Sequence, residues 1–321
     1  MPAALYSPHL EEVQISQEAA WADAAAPNIA LGGITSCKVT PHIENAQVVD
    51  KRASTMPAYI ATTNKISGEV DMSGLVTYTQ FRYFLDAMFT ADTSTPYEYL
   101  AALAPAPPKT NNILYGQSGL SYAVSGAVMD RLSIHGDSNG PLTFDAHWFG
   151  KAPVALARVA LDIPTLITAM GGQTVLSVGT IATAHTALTA WPLTAFSFDF
   201  NMTNSRSPVW HLGTLNPDNF KNGKWGGNLK IVAEMTALSK ALLTDVIANT
   251  VEPDGYNIRL KATGVGGTPP SLTMDFSGHL LEAPIMFTDQ DGVTTAELNF
   301  APAYSAEASM LSCYKFALVA A

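Results

Sequence analysis

The residues of this chain that could perform chemistry are seven histidines, two cysteines and several carboxylates on predicted strands. None of the histidines lies in an HxxxH or HxH arrangement and no CxxC occurs, so the spacings that hold a metal ion are missing. The sequence also has no GxSxG nucleophile elbow and no phosphate loop ending in GK[ST]. Cys37 and Cys313 lie far apart in sequence and are interpreted as two unpaired thiols of a protein assembled in the cytoplasm. Nothing beside either cysteine predicts its activation as a nucleophile. We therefore predict no enzyme activity, no metal and no cofactor.

Four carboxylates are more informative, because each alternates with apolar neighbours along a predicted strand. They are Glu69, Asp71, Asp145 and Glu297. A strand turns successive side chains to opposite faces, so these residues occupy the polar face of their strands. One interpretation is a solvated sheet face. The other is an acidic wall that many subunits turn toward a shared channel.

The overall composition indicates a folded, assembling protein. Of the 321 residues, 47% are hydrophobic and only 14% are charged, which suggests that much surface is buried, in part between subunits. No apolar run approaches the ~20 residues of a membrane span, and no signal peptide is evident at the start. The net charge of −10 divides evenly between the two halves of the chain. Such a chain is a poor candidate for gripping nucleic acid, but it could surround it.

A strand followed by a helix occurs twice in the chain. Gly68–Thr90 and Gly227–Asn249 have the same order of elements, and one constant shift in numbering relates them, so that Gly68 corresponds to Gly227. Between 34–90 and 193–249, seven positions are identical without a gap. A later hairpin repeats at a slightly smaller shift, where Asp137 matches Asp289 and Gly140 matches Gly292. We predict a tandem duplication; the alternative is a single large all-β domain.

Each repeat is expected to lay one helix on its sheet. The apolar residues of the first helix follow a helical spacing, and the second helix, which begins near Thr236, also offers an apolar side. The packing residues are Phe81, Phe84, Leu85 and Met88 in the first helix and Leu238, Leu242 and Val246 in the second.

The predicted boundaries follow from this order. Residues 1–33 form an arm, 34–151 the first repeat, 152–190 a linker with a second arm, 191–304 the second repeat and 305–321 a C-terminal tail. Each repeat also has a long loop. The first carries the charged tip Asp50, Lys51 and Arg52, and the second carries Trp210 and His211.

The arm and the first strand–helix unit resemble a known family. QISQEAAWADAAAPNIALGGI (Gln14–Ile34) is similar to the N-terminal arm of tail tube proteins from long, non-contractile-tailed bacteriophages, with Glu18 and Trp21 in the matching places. SGEVDMSGLVTYTQFRYFLDAMF (Ser67–Phe89) resembles the centre of the same proteins.

The resemblance implies a mainly β fold of two tandem tail-tube-like domains, each a sandwich or barrel-like unit with one flanking helix. Duplicated members form trimeric rings with pseudo-sixfold symmetry, which stack into a tube in the virion after assembly in the host cytoplasm. The implied partners are other copies of the chain, tape measure protein, and tail terminator and baseplate proteins. Duplex DNA passes through the lumen without specific binding, and the two long loops, Val48–Thr63 and Ser205–Gly223, contact neighbouring rings.

Three other classes remain open from the sequence. The chain could be another virion or secretion component, such as a baseplate or tube-initiator protein or a type VI secretion tube. It could be a non-viral β-rich binding module, which would expose an aromatic-lined groove. A hydrolase fits least well, because no catalytic constellation is present.

Overall fold

A computed structural model describes residues 11–19, 21, 26–50, 58–89, 97–101, 108–180, 183–190, 195–237, 255–266, 268–281, 285–290, 292–305 and 313–320. In these residues the fold is mainly β, as predicted. The helix with both ends described is α1 (Arg82–Met88). The strands in chain order are β1 (Glu12–Gln17), β2 (Ile29–Leu31), β3 (Ile34–Asp50), β4 (Ala58–Leu75), β5 (Tyr97–Leu100), β6 (Asn111–Gln117), β7 (Leu120–Asp137), β8 (Thr143–Gly150), β9 (Val154–Ala155), β10 (Thr174–Thr180), β11 (Thr189–Ala190), β12 (Ala195–Thr203), β13 (Ser207–Val209), β14 (Asn219–Lys221), β15 (Gly226–Glu234), β16 (Tyr256–Thr263), β17 (Ser271–Leu280), β18 (Ile285–Gln290), β19 (Val293–Pro302) and β20 (Tyr314–Val319).

One antiparallel sheet runs through both predicted repeats. Its strands follow the order β3–β4–β8–β7–β12–β15–β19–β18. The step between the repeats is the pairing of β7 with β12, in which Arg131–Asp137 lie opposite Ser197–Thr203. We call this sheet the inner sheet. Because backbone hydrogen bonds cross the predicted boundary, the two repeats form one continuous surface.

Two further layers of strands cover the apolar side of the inner sheet. Over the first repeat the order is β2–β1–β6–β7–β9. Over the second it is β11–β10–β16–β17–β20–β5. The long strand β7 belongs to both layers of the first repeat, and it carries Gly126 with a positive φ of 61° between its two parts. Strand β5 of the first repeat pairs with β20, so the outer layer also crosses between repeats.

The helix α1 packs its apolar side into the core, beneath the inner sheet. Phe84, Leu85 and Met88 are buried, and the ring centroid of Phe84 lies 4.3 Å from that of Phe144 and 5.8 Å from that of Trp148. Phe81 is buried as well, but it precedes the helix, which begins at Arg82. The strand before the helix alternates as its sequence predicts, with Val70 and Met72 in the core.

Several predicted features fall elsewhere or outside the described residues. Leu238, Leu242 and Val246 of the predicted second helix lie outside them, as do Lys51 and Arg52. The predicted linker, 152–190, contains β9, β10 and β11. The predicted tail, 305–321, contains β20, whose residues Tyr314, Phe316 and Leu318 are buried. This segment therefore contributes a paired strand that completes the outer layer of the second repeat, which the word tail does not describe.

Candidate functional site

The candidate site is the polar face of the inner sheet, opposite the face that packs on the core. The strand alternation places all four predicted carboxylates there. Glu69 and Asp71 lie on β4, Asp145 lies on the adjacent β8, and Glu297 lies on β19 in the second repeat. Within the described chain this face carries polar side chains from β3 to β19, and strands of both repeats contribute to it.

The carboxylates on this face are accompanied by basic side chains. The imidazole Nε2 of His42 lies 2.8 Å from a carboxylate oxygen of Glu69. The ammonium of Lys230 lies 2.8 Å from Glu297, and Lys38 lies opposite Asp71 across the β3–β4 pair. The face therefore carries both acidic and basic side chains, rather than the uniformly acidic wall that the carboxylates alone suggest.

His135 lies at the pairing of β7 with β12, which we call the seam between the repeats. Its Nδ1 lies 2.8 Å from Asp199 on β12, and its Nε2 lies 3.0 Å from Asp145 on β8. His135 therefore bridges one carboxylate of each repeat.

The seam is extended by a row of amide side chains. Asn201 donates to Asn228 at 3.1 Å, and Asn228 donates to Asn299 at 2.9 Å. These residues lie on β12, β15 and β19, so their hydrogen bonds run across the strands of the second repeat. Mutual pairing of these amides fixes side-chain positions on the polar face.

His147 provides a pH-dependent contact on the same face. Its Nδ1 lies 2.5 Å from Asp130 on β7, its Nε2 lies 3.8 Å from Glu69, and Arg131 is its cross-strand neighbour. The hydrogen bond to Asp130 raises the pKa of His147 above its usual 6.5, and the charges of Asp71 and Glu69 act in the same direction.

We expect His147 to stabilise the fold at low pH and less so at high pH. Because its pKa is raised in the folded state, its contribution is complete below pH 6.5 and is lost as pH rises through the folded value. Replacing His147 with glutamine should lower the free energy of unfolding by about 1–2 kcal/mol at pH 6 and by less at pH 8. Urea unfolding of both proteins at the two pH values measures this difference. An equal loss at both values would contradict the assignment.

The second long loop lies against the first repeat. Its backbone carbonyl at Leu215 accepts a hydrogen bond from the amide of Ile66 at 2.8 Å, and the side chain of Asn216 accepts one from Ala152 at 2.9 Å. The ammonium of Lys65 lies 5.1 Å from the ring centroid of Trp210. Within the loop, the Nδ1 of His211 lies at hydrogen-bond distance, 2.9 Å, from a carboxylate oxygen of Asp218. Trp210 and His211 therefore take part in contacts inside one chain.

The matching loop of the first repeat is only partly described. Asp50 is the last residue of β3 and pairs with Ala58 of β4. The β3–β4 pair extends well beyond Gly68, which is the last position on that side where β4 also pairs with β8. The assignment of Asp50 to an inter-ring contact stays a prediction.

Arg206 is a buried structural residue that the sequence did not reveal. Its buried guanidinium donates to the backbone carbonyls of Met129 at 2.5 Å and Met88 at 2.8 Å, and its Nε donates to Asn222 at 2.9 Å. Burial lowers the pKa of Arg206 to about 10, with nearby Asp130 opposing the change, so it remains charged at neutral pH. It joins the second loop to the C-terminal end of α1, where helix carbonyls lack partners within the helix.

The arm is fixed by the two residues that carried the family resemblance. The carboxylate of Glu18 accepts a hydrogen bond from the amide of Gly126 at 2.9 Å. The indole of Trp21 lies 5.5 Å from the ring of Phe220 in the second loop. The arm therefore contacts both β7 and the second repeat.

Other chemistry is not assembled in the part of the chain that the structure describes. No cluster of three or more His, Cys, Asp or Glu residues there could hold a metal ion, and Cys37 is not joined to Cys313. Burial, with a smaller effect of Glu11, raises the pKa of the Cys37 thiol to about 12. No helix among the described residues is long and apolar enough to cross a membrane.

These features define a structural β-sheet protein in which two sandwiches share one sheet with a broad polar face. A family model described as "Phage tail tube protein" matches residues 13–302. The match covers most of the chain, so the chain belongs to the phage tail tube protein family, which confirms the resemblance of the arm and the strand–helix centre. No curated protein matches the sequence. The chain is thus a virion tail component of a structural family that assembles into tubes.

Proposed function

We propose that three copies of this chain close into a ring with pseudo-sixfold symmetry, and that rings stack into the tail tube. The polar face of the inner sheet lines the lumen, and duplex DNA passes along it during ejection. Tape measure protein and the tail terminator and baseplate proteins are the expected partners at assembly, in the host cytoplasm. No residue binds DNA specifically in this function.

The pairing of β7 with β12 is the observation that carries the proposal. In this pairing, the strands of the predicted second repeat continue the sheet of the predicted first repeat without a break. At the two ends of the inner sheet, β3 pairs only with β4 and β18 pairs only with β19, among the described residues. Edges of this kind are an aggregation hazard unless a partner strand covers them.

The internal correspondence of strands supports a particular partner for each edge. Strand β3 precedes β4 as β12 precedes β15, at the shift that takes Gly68 to Gly227. Strand β18 pairs with β19 as the end of β7 pairs with β8, and each hairpin turns at an Asp and a Gly. We therefore expect β18 of one copy to pair with β3 of the next, as β7 pairs with β12. Repetition of such a head-to-tail contact gives a closed ring when the rotation permits.

The position of His135 opposite Asp199 has a counterpart in this expected junction. Asp199 corresponds to Thr40 in the first repeat. His135 lies opposite Thr143, and Thr288 lies opposite Thr295, which corresponds to Thr143. Thr288 is therefore the counterpart of His135. Thr40 and Thr288 are thus expected to face each other between copies, with Cβ atoms about 4.5–5.5 Å apart. The seam within a chain has a histidine between two carboxylates, and the seam between chains has two hydroxyls.

The charge pattern of the polar face suits passage rather than capture of DNA. Lys230 pairs with Glu297 and His42 contacts Glu69, so these basic side chains lie beside carboxylates and do not form a free cationic stripe. Tight phosphate binding requires clustered positive charge. An acidic chain with paired charges on this face repels the duplex weakly and leaves it free to slide.

A cysteine cross-link tests the ring directly. Thr40→Cys and Thr288→Cys are combined in a Cys37→Ala, Cys313→Ala background, assembled, oxidised and separated under denaturing conditions. We expect covalent dimers and trimers and no larger species, because three head-to-tail links complete the ring. A ladder that extends beyond the trimer would contradict a trimeric ring.

The matched control moves one cysteine to the other side of β3. Val39 faces the core side, so Val39→Cys with Thr288→Cys should give little covalent product in the same assemblies. Electron microscopy of the uncross-linked protein provides the second readout. If tubes form but the oxidised protein separates only as monomers under denaturing conditions, the β18–β3 junction is excluded. If the protein never forms rings or tubes, the proposed function is excluded.

A further inference from the structure

The second repeat has an aromatic core that the first repeat helps to close. Phe200 of β12 lies 5.6 Å from Phe316 of β20, as measured between ring centroids. Phe89, which follows α1 in the first repeat, lies 5.4 Å from Phe316 and 5.1 Å from Trp225. Strand β5 then covers the edge of β20. Phe89 and β5 of the first repeat therefore cover the end of the second repeat's sandwich, and we call this contact the plug at Phe89.

The same end of the first repeat is uncovered. Ile43 on β3 is 61% exposed, whereas Met202, its counterpart in the second repeat, is fully buried. Leu120 and Tyr122 on β7 are 43% and 44% exposed, whereas their counterparts at the smaller shift, Leu272 and Met274, are fully buried. Apolar side chains that are core residues in one repeat are thus at the surface in the other.

These exposed residues lie on the core-facing sides of two facing sheets. Tyr122 is in register with Tyr115 of β6, which is in turn opposite Val13, a core residue. On the other sheet, Pro41 pairs with Gly68, where an added Cβ would lie 3.3 Å from Val124 of β7. We call Pro41, Ile43, Leu120 and Tyr122 the open end of the first repeat.

The open end is also less filled by its own side chains. Under the two shifts in numbering, Pro41 corresponds to Phe200 and Val124 corresponds to Phe276. Ala155 corresponds to Phe316, because Ala155 pairs with Tyr122 as Phe316 pairs with Met274, the counterpart of Tyr122. Three aromatic side chains of the second repeat are replaced by small ones. The first repeat therefore places less side-chain volume at this end than the second repeat does.

We infer that the open end of the first repeat is a docking site for the second repeat of another copy of this chain. This inference rests on the proposed ring, and it adds a second contact to the pairing of sheet edges. Pro41 and Ile43 belong to β3, the strand expected to receive β18, so the two contacts are continuous. An exposed apolar cluster beside an unpaired edge is a typical protein–protein contact, and the intrachain plug at Phe89 shows which partner fits.

A photo-cross-linker at Tyr122 tests the identity of the occupant. Benzoylphenylalanine is introduced at position 122, and the protein is assembled as a mixture of ¹⁴N-labelled and ¹⁵N-labelled chains. We expect mixed-isotope products that join position 122 to the second repeat of another copy. The same label at Val265, which is exposed on the second repeat, serves as the control and should give little product in rings. Products confined to one chain, or joined to another first repeat, would overturn the inference.

Charge substitutions measure the energetic weight of the site. Tyr122→Glu and Ile43→Glu should raise the protein concentration needed for assembly by at least about tenfold, because a buried apolar anchor is replaced by a charge. Val265→Glu should leave assembly unchanged. Both variant positions are exposed in the monomer, and an unchanged thermal unfolding temperature verifies that each still folds.

The outcomes separate the docking site from the ring itself. If Tyr122→Glu and Ile43→Glu assemble normally while the Thr40–Thr288 cross-link forms, the docking site is wrong and the ring stands. If the protein with Thr40→Cys and Thr288→Cys gives no cross-link and wild-type protein forms no rings, both the ring and the docking site are wrong.

Discussion

Replacing Arg206 with methionine should lower the free energy of unfolding by about 2–5 kcal/mol. Methionine fills a similar volume but donates no hydrogen bond. The carbonyls of Met88 and Met129 would then lose a charged donor inside the protein, and each buried carbonyl left unpaired costs about 1–3 kcal/mol. Urea unfolding of the variant and the wild-type protein measures the loss. Hydrogen exchange should become faster in the second loop and at the end of α1.

Two control variants separate the hydrogen bonds from the charge. Arg206→Lys keeps the charge but replaces the planar fork with one ammonium, so it should recover only part of the stability. Arg131→Met removes an exposed arginine of β7 and should change the free energy of unfolding by less than about 0.5 kcal/mol. An Arg206→Met protein as stable as Arg131→Met would show that the loop is held by its other contacts.

The strands that alternate clearly could be predicted from sequence, because alternation depends only on local burial. Val70 and Met72 pointed to the core and Glu69 and Asp71 to the polar face, as their period of two requires. The same period was present in β20, where Tyr314, Phe316 and Leu318 alternate with Lys315, Ala317 and Val319. That segment was interpreted as a tail although its pattern was that of a half-buried strand.

The partners of the strands could not be predicted in the same way. A period of two assigns faces but does not identify the neighbouring strand. The pairings of β7 with β12 and of β5 with β20 join segments that are distant in sequence. Strand β7 passes from one sheet to the other at Gly126, and alternation alone does not reveal such a change of sheet.

The basic side chains of the polar face were predictable only in part. His147 alternates with the core residue Trp148, so the sequence placed it on the same face as Asp145. Its contact with Asp130 depends on an irregularity in β7 between Met129 and Arg131. Arg206 had no detectable signal, because its role depends on backbone carbonyls that come from α1 and β7 rather than on its sequence neighbours.

Replacing Phe89 with alanine should destabilise both repeats together by about 3–5 kcal/mol. Phe89 belongs to the first repeat, but its buried ring stacks on Trp225 and packs against Phe316 of the second repeat's sandwich. Removing a buried phenylalanine ring loses its transfer energy and leaves a cavity. Since the cavity would lie at the junction, we expect faster hydrogen exchange in both β8 and β20.

The extent of the effect along the chain decides whether the repeats form one folding unit. Phe287→Ala is the matched control, because Phe287 is largely exposed on β18 and its loss should cost less than about 0.5 kcal/mol. If Phe89→Ala alters exchange only in the first repeat, the junction is a contact between two independent domains. If β8 and β20 lose protection together, the plug at Phe89 is part of a single core. The continuous inner sheet favours this second result, because strand pairing between β7 and β12 transmits the loss of either sandwich to the other.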